Sequence, residues 1–257
     1  MPRLALYRPF SLLMALVLTI VASVHAEATL QAGTSDLNKA GQLRMLSQRV
    51  AKLALQQRLN ILPDRTRQEM AQSISQFDSL LADLNRLNTL PRLVRPLAGV
   101  SRRWSELKPQ LGLADPDTLH VFSEDLTLAI SQITNILEDE TGTQSGRLVD
   151  LAQRQTMLSQ RMAKLYLLNQ LGRNTSVDLQ ITRSEFLTAL NELNGAQQNT
   201  QRIRGQLELA KGQWFFYEKA IAVPRSTDLS RLENVATTSE RISQVMLEIV
   251  GDYRKLY

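Results

Sequence analysis

The chain has no cysteine. No disulfide can brace it, and no thiol is present to act as a nucleophile or metal ligand. Histidine is nearly as scarce, with only His25 and His120. A zinc or copper site made from imidazole and thiolate is therefore hard to build. A Ser-His-Asp triad would have to use His120, and no Gly-x-Ser-x-Gly turn is present. Glu-x-x-His pairs, from which helical bundles build carboxylate metal sites, are absent as well. These absences point away from an enzyme and from any metal or cofactor. The charge balance is mild: 30 Lys and Arg against 25 Asp and Glu give +5. The cations are interspersed with acids, without the basic stripe that phosphate neutralisation needs, so nucleic acid is not an expected partner. Hydrophobic residues make up 43% of the chain, too many for a disordered protein.

The one long apolar run lies at the start. Arg3 and Arg8 precede the apolar stretch Ser11 to Ala22, and Val24-His25-Ala26 places small residues where signal peptidase reads them. This is the pattern of a secretory signal spanning 1–26, with cleavage expected after Ala26. No later stretch approaches the roughly 20 apolar residues of a membrane-spanning helix. The expected product is soluble and periplasmic.

A repeat organises the rest. Residues 45–53 read Met-Leu-Ser-Gln-Arg-Val-Ala-Lys-Leu, and residues 157–165 read Met-Leu-Ser-Gln-Arg-Met-Ala-Lys-Leu. Weaker echoes follow. Phe77 answers Phe186, Trp104 answers Trp214, and Ile130-Ser131-Gln132-Ile133 answers Ile242-Ser243-Gln244-Val245 at an offset of 112. The chain reads as two copies of one module, 27–142 and 146–257, joined at Gly142 to Gly146. Apolar residues recur at three and four, as in Leu43, Leu46, Val50 and Leu53, which is the helical period. In the first copy a helix is expected from an N-cap at Ser35 to about Ile61. A second runs to about Asn88 and a third ends near Pro109. A fourth starts at Asp115-Pro116, with Asp as cap and Pro in the first turn. Breaks at Gly172 to Thr175, near Asn194-Gly195 and at Pro224 to Ser226 divide the second copy likewise. The expected fold is all-α: two tandem up-down four-helix bundles after the signal peptide.

The repeated motif sits on the first helix of each copy. Ala40, Ser47, Ala51 and Ala54 form a small-residue stripe that permits close helix approach, and Arg44 interrupts it. A guanidinium placed there needs a partner. Both a carboxylate from another helix and a bound anion gripped by the planar fork satisfy that need. Arg49 and Arg161 lie about 140° around the helix from Arg44 and Thr156. With Gln48 and Gln160 they are read as structural, paired to acids on other helices.

The run Ala40-Gly41-Gln42-Leu43-Arg44-Met45-Leu46-Ser47-Gln48-Arg49, with Asn38 before it, resembles the signature of the PilJ/NarX-like N-terminal domain. That domain is found in type IV pilus chemotaxis transducers and nitrate/nitrite sensor kinases. The resemblance is strong over about 20 residues in the first copy and about 15 in the second. It implies a periplasmic four-helix bundle with the motif on its first helix. It further implies that Arg44 binds a small anion such as nitrate or nitrite where two such helices meet, with Gly41 letting the backbone approach. Ser47 completes the candidate site. The second copy departs from the pattern, with Thr156 at the place of Arg44 and Gln153 at that of Gly41. Arg154 is then the candidate second cation, the alternatives being an asymmetric site or one that has been lost.

The resulting expectation is a sensory, ligand-binding protein that acts through a membrane sensor or envelope protein, with homodimerisation open. The alternative is a ligand-free helical adaptor. Other clusters have plainer readings: His120 as structural, Glu138-Asp139-Glu140 as a solvated helix end, and Trp214-Phe215-Phe216-Tyr217 as mainly core with a partner patch as the alternative.

Overall fold

In the computed structural model the described residues are 33–256, apart from Pro224 and Thr227. The expected signal segment and Ala26 lie outside them. Among the described residues eight α-helices follow one another: α1 (Thr34–Arg58), α2 (Pro63–Asn85), α3 (Pro91–Leu107), α4 (Pro116–Thr141), α5 (Gln144–Gln170), α6 (Ser176–Gly195), α7 (Gln201–Ile221) and α8 (Leu229–Tyr253). The same residues contain no strand, and none of these helices is long and apolar enough to cross a membrane.

Local chemistry sets most helix ends. Asp115 caps α4 by accepting the amides of Asp117 and Thr118, with Pro116 next in the chain. Gly142 takes the left-handed conformation that ends α4, at φ 55°. Thr143 then caps α5, accepting the Gly146 amide at 3.1 Å. The joint between the repeats is therefore shorter than the Gly142–Gly146 segment expected, because Gly146 is already in the first turn of α5. The start of α1 differs too. Its cap is Gly33, one residue before the helix, where the sequence favoured Ser35. Asp36 reaches back to the Gly33 amide at 3.1 Å and does the capping from inside the helix.

Neighbouring helices within each repeat run antiparallel. α1 packs on α2 and α4, and α4 packs on α3. In the second repeat α5 packs on α6 and α8, and α8 on α7. Each repeat carries a stacked aromatic pair. Phe77 lies on Trp104 with ring centroids 3.9 Å apart, and Phe186 lies on Trp214 at 4.7 Å. The Trp104 indole N–H is satisfied by Asp78 at 2.7 Å.

The most extensive helix contact joins the repeats. α1 and α5 lie side by side and run in the same direction, so that residues one repeat apart meet. The Gln153 amide donates to Asn38 Oδ1 at 2.6 Å, and Gly41 faces Gln153. This contact wraps α1 in neighbours on nearly every side. Eighteen of its 25 residues are buried, polar ones among them. The buried apolar side chains of both repeats form one continuous cluster, and the described residues belong to a single compact unit.

The close approach at Gly41 is steric. A Cβ there would come within 2.7 Å of both Cβ and Cγ of Gln153. A helical glycine usually gains stability on replacement by alanine, but here the crowding outweighs that gain. Gly41→Ala is expected to lower unfolding stability by about 1–3 kcal/mol, the usual range for overpacking. Urea denaturation measures it. Gly212, where an added Cβ would meet nothing within 4 Å, serves as the helical control, and Gly212→Ala should be neutral or stabilising.

Candidate functional site: the paired motif helices

Arg44 is buried between α1, α4 and α5, with 4% of its surface exposed. One terminal nitrogen donates to Asp150 Oδ1 on α5 at 2.8 Å. The other donates to Thr134 Oγ1 on α4 at 3.1 Å. Its Nε has no partner. Ser47, one turn on, donates to the Arg44 carbonyl at 2.8 Å and lies 2.6 Å from Thr127 Oγ1. Gly41, Arg44 and Ser47 thus line the junction of α1 with α4 and α5. Arg154 does not join them. It is exposed on the α6 side of α5 and pairs with Glu185 at 3.1 Å. Thr156 is buried and donates to the Gln153 carbonyl within its own helix.

Further along the same helices lie two buried charge clusters, each built from both repeats. Arg49 Nε donates to Glu240 of α8 at 2.9 Å, and its Nη1 donates to Ser73 at 2.8 Å. Lys52, fully buried, donates to the same Glu240 and to Ser239 Oγ at 3.3 Å. The counterpart cluster repeats these roles, except that Arg49 also pairs with Glu69 of its own repeat at 3.5 Å. Arg161 Nε donates to Glu124 of α4 at 3.1 Å, and its Nη1 donates to Thr182 at 2.7 Å. Lys164, also fully buried, donates to Glu124 at 2.6 Å and to Ser123 Oγ at 2.8 Å. Each motif helix therefore gives its Arg and Lys to a glutamate of the other repeat. Gln48 and Gln160 stay within their own repeats. Gln48 donates to Thr127 at 2.6 Å, and Gln160 to Ser243 at 2.8 Å.

The electrostatics follow from this enclosure. Burial alone would raise the pKa of each glutamate. For Glu124 the charges of Lys164 and Arg161 overcome that, and for Glu240 those of Lys52 and Arg49 do; both carboxyls are held at about 2. Burial pulls the lysines the other way: Lys164 falls to about 8 and Lys52 is lowered too, although the glutamates oppose this. His120 is lowered, by burial first and then by Lys164. Among the described residues no group of three His, Asp or Glu is placed to hold a metal ion.

Lys52, Lys164, Glu124 and Glu240 are not among the residues that the motif singles out from sequence. The match of Ile130-Ser131-Gln132-Ile133 to Ile242-Ser243-Gln244-Val245 implies an offset of 112. The contacts instead pair Ser123 with Ser239, Glu124 with Glu240 and Thr127 with Ser243, an offset of 116. A slip of four residues is about one helical turn, so the apolar stripe stays in phase and conceals the error. The signal that would have exposed it is the shared Ser-Glu-x-x-Ser/Thr run, at 123–127 and 239–243.

The motif helices thus meet through a core of buried polar groups, most of them paired from helix to helix. Residues 28–126 match the family model of PilJ, the N-terminal domain of type IV pili methyl-accepting chemotaxis transducers. The matched stretch takes in α1 to α3 and the first part of α4 and contains the motif with Arg44. No curated protein and no solved structure matches the chain.

Removing one glutamate strands a fully buried lysine and takes a carboxylate from the arginine beside it. Glu240→Gln and Glu124→Gln are each expected to cost about 3–5 kcal/mol, as for other buried pairs that lose one partner. Acid should act in the same way. A carboxyl whose folded pKa lies near 2, below an unfolded value of 4.5, adds stability above pH 4.5 that is lost as the pH falls toward 2. Chemical denaturation across that range should show a steep acid limb in the wild type and a shallower one in either variant.

Proposed function

We propose that this chain is a periplasmic sensory input module, built as a single-chain pseudo-dimer, that acts on a membrane-bound transducer and carries out no chemistry of its own. The PilJ match supports the sensory class. The observation that supports the pseudo-dimer is the exchange of Glu124 and Glu240 between the repeats. α1 and α5 stand side by side as the first helices of two subunits would, and each is neutralised by the other repeat. A second PilJ-type copy in residues 146–257 belongs to this reading.

The same geometry bears on nitrate or nitrite at Arg44. An anion there would have to compete with the Asp150 carboxylate, which already occupies the guanidinium fork from within the chain. The second cation that a symmetric anion site would use is also missing, because Arg154 faces Glu185. The favoured reading is therefore a module whose Arg44 is internally paired and whose signal travels through helix–helix contacts to its partner.

Calorimetric titration of the full chain with nitrate, nitrite and chloride tests the Arg44 reading. No saturable binding is expected for the wild type. Saturable nitrate or nitrite binding that vanishes in Arg44→Ala, with both proteins equally folded, would restore the anion-sensor reading in place of this one. The partner reading is tested by co-expression with a membrane-bound methyl-accepting transducer. Site-specific crosslinks from α2 or α6 to the transducer are expected, and their absence at every surface position would overturn it.

A further inference from the structure

The two repeats share their interior but differ in outer charge. At the offset of 116 fixed by the buried clusters, Arg241 of α8 stands where Asp125 stands in α4, and Arg231 stands where Asp115 stands. In each repeat the two positions are ten residues apart, about 15 Å along a helix. The same two positions are thus basic on one repeat and acidic on the other, with the carboxylate of Asp115 engaged in capping α4 and that of Asp125 free.

The surroundings of each pair of positions fit this opposition. Arg231 and Arg241 line a groove of about 380 Å³ between α7 and α8, together with Lys219, Phe216, Thr238 and one acid, Asp228, so that three cations face a single carboxylate there. Arg231, Arg241 and Lys219 have no carboxylate within ion-pair distance, whereas most cations among the described residues do; Lys219 instead lies 4.1 Å over the Phe215 ring. Phe215 and Phe216 are 52% and 62% exposed, at positions where α3 carries Ser105 and Glu106. Core packing does not require this exposed aromatic pair, because the buried partners of the first repeat's tryptophan are matched in the second. On α4, Asp125 is exposed and unpaired. It is flanked one turn away on each side by Val121 and Leu128, 55% and 65% exposed. One face offers cations beside exposed rings, and the other offers a carboxylate between exposed aliphatic side chains.

We propose that the α7–α8 groove of one copy docks on the α4 face of a second copy, with Arg241 against Asp125 and Phe216 against the aliphatic flank of Asp125. The contact joins two different surfaces, so it is heterologous and either closes a ring or extends from copy to copy. Its electrostatic part makes it sensitive to salt. The proposal does not depend on the chain serving a transducer, and its failure would leave that reading untouched.

Sedimentation velocity of the full chain over a range of concentrations tests it, with Arg241→Asp, Asp125→Arg and an equimolar mixture of the two. Both side chains are exposed and make no ion pair, so the variants should keep the wild-type thermal unfolding curve. Reversible association is expected in low salt and should weaken in high salt. Each single reversal should raise the dissociation constant about tenfold or more. The mixture should regain wild-type association, because each variant then meets a partner of opposite charge. A chain that stays monomeric at every concentration would overturn the proposal. So would association that neither reversal weakens, or reversals whose effect mixing does not restore.

Discussion

Two fully buried lysines dictate much of this molecule. An ammonium group taken out of water is tolerated only where a carboxylate and further hydrogen-bond acceptors meet it. Lys52 and Lys164 lie on α1 and α5, and neither finds its carboxylate in its own repeat. Each is met by a glutamate of the other, Glu240 or Glu124, with an arginine of the same motif sharing that carboxylate. Pulling the repeats apart would leave Lys52, Lys164 and Arg161 without a carboxylate and Glu124 and Glu240 without their cations, while Arg49 would keep only Glu69 of α2. The parallel pairing of α1 with α5, the burial of α1 on nearly every side and the single continuous core are all consistent with that requirement.

The same arrangement changes the meaning of Arg44. On a lone helix it is a cation on a small-residue face, equally suited to an anion and to a carboxylate. Once α5 lies alongside, Asp150 reaches it, and Thr134 of α4 takes the other arm of the fork. Gly41 and Gln153 show why α5 can come so close: one position lacks a side chain, and its counterpart supplies one that fills the space and bonds Asn38. The asymmetry between the motif copies is thus a complementarity. Gln153 stands where a second glycine would leave a gap, and Thr156 stands where a second arginine would add another buried charge.

The divergence of the surfaces contrasts with the sameness of the interior. The stacked Phe–Trp pairs, the Ser–Ser/Thr contacts of Ser47 and Ser159 and the Arg–Lys–Glu clusters recur in both repeats. Asp115 and Asp125 stand where the second repeat has Arg231 and Arg241, and the aromatic pair on α7 has no counterpart on α3. Within Trp214-Phe215-Phe216-Tyr217 the helical period sends Trp214 and Tyr217 inward and leaves both phenylalanines outside, so the run is half core and half surface.

The sequence alone determined the all-helical class, most helix boundaries, the repeat and the likeness of its first copy to PilJ. Each of these is written in local signals: the 3.6-residue period, caps such as Asp115, breaks at Pro and Gly, and a motif read residue by residue. The tertiary structure decided how the repeats meet, and with that the partners of every buried charge. Glu124 lies 37 residues from Arg161, and Glu240 lies 191 residues from Arg49. No local pattern links positions so distant, and apolar periodicity is unchanged by a slip of one helical turn, so it could not even align α4 with α8 correctly. The need to neutralise charge inside a low-dielectric core fixes that register, and it operates only once the helices are packed.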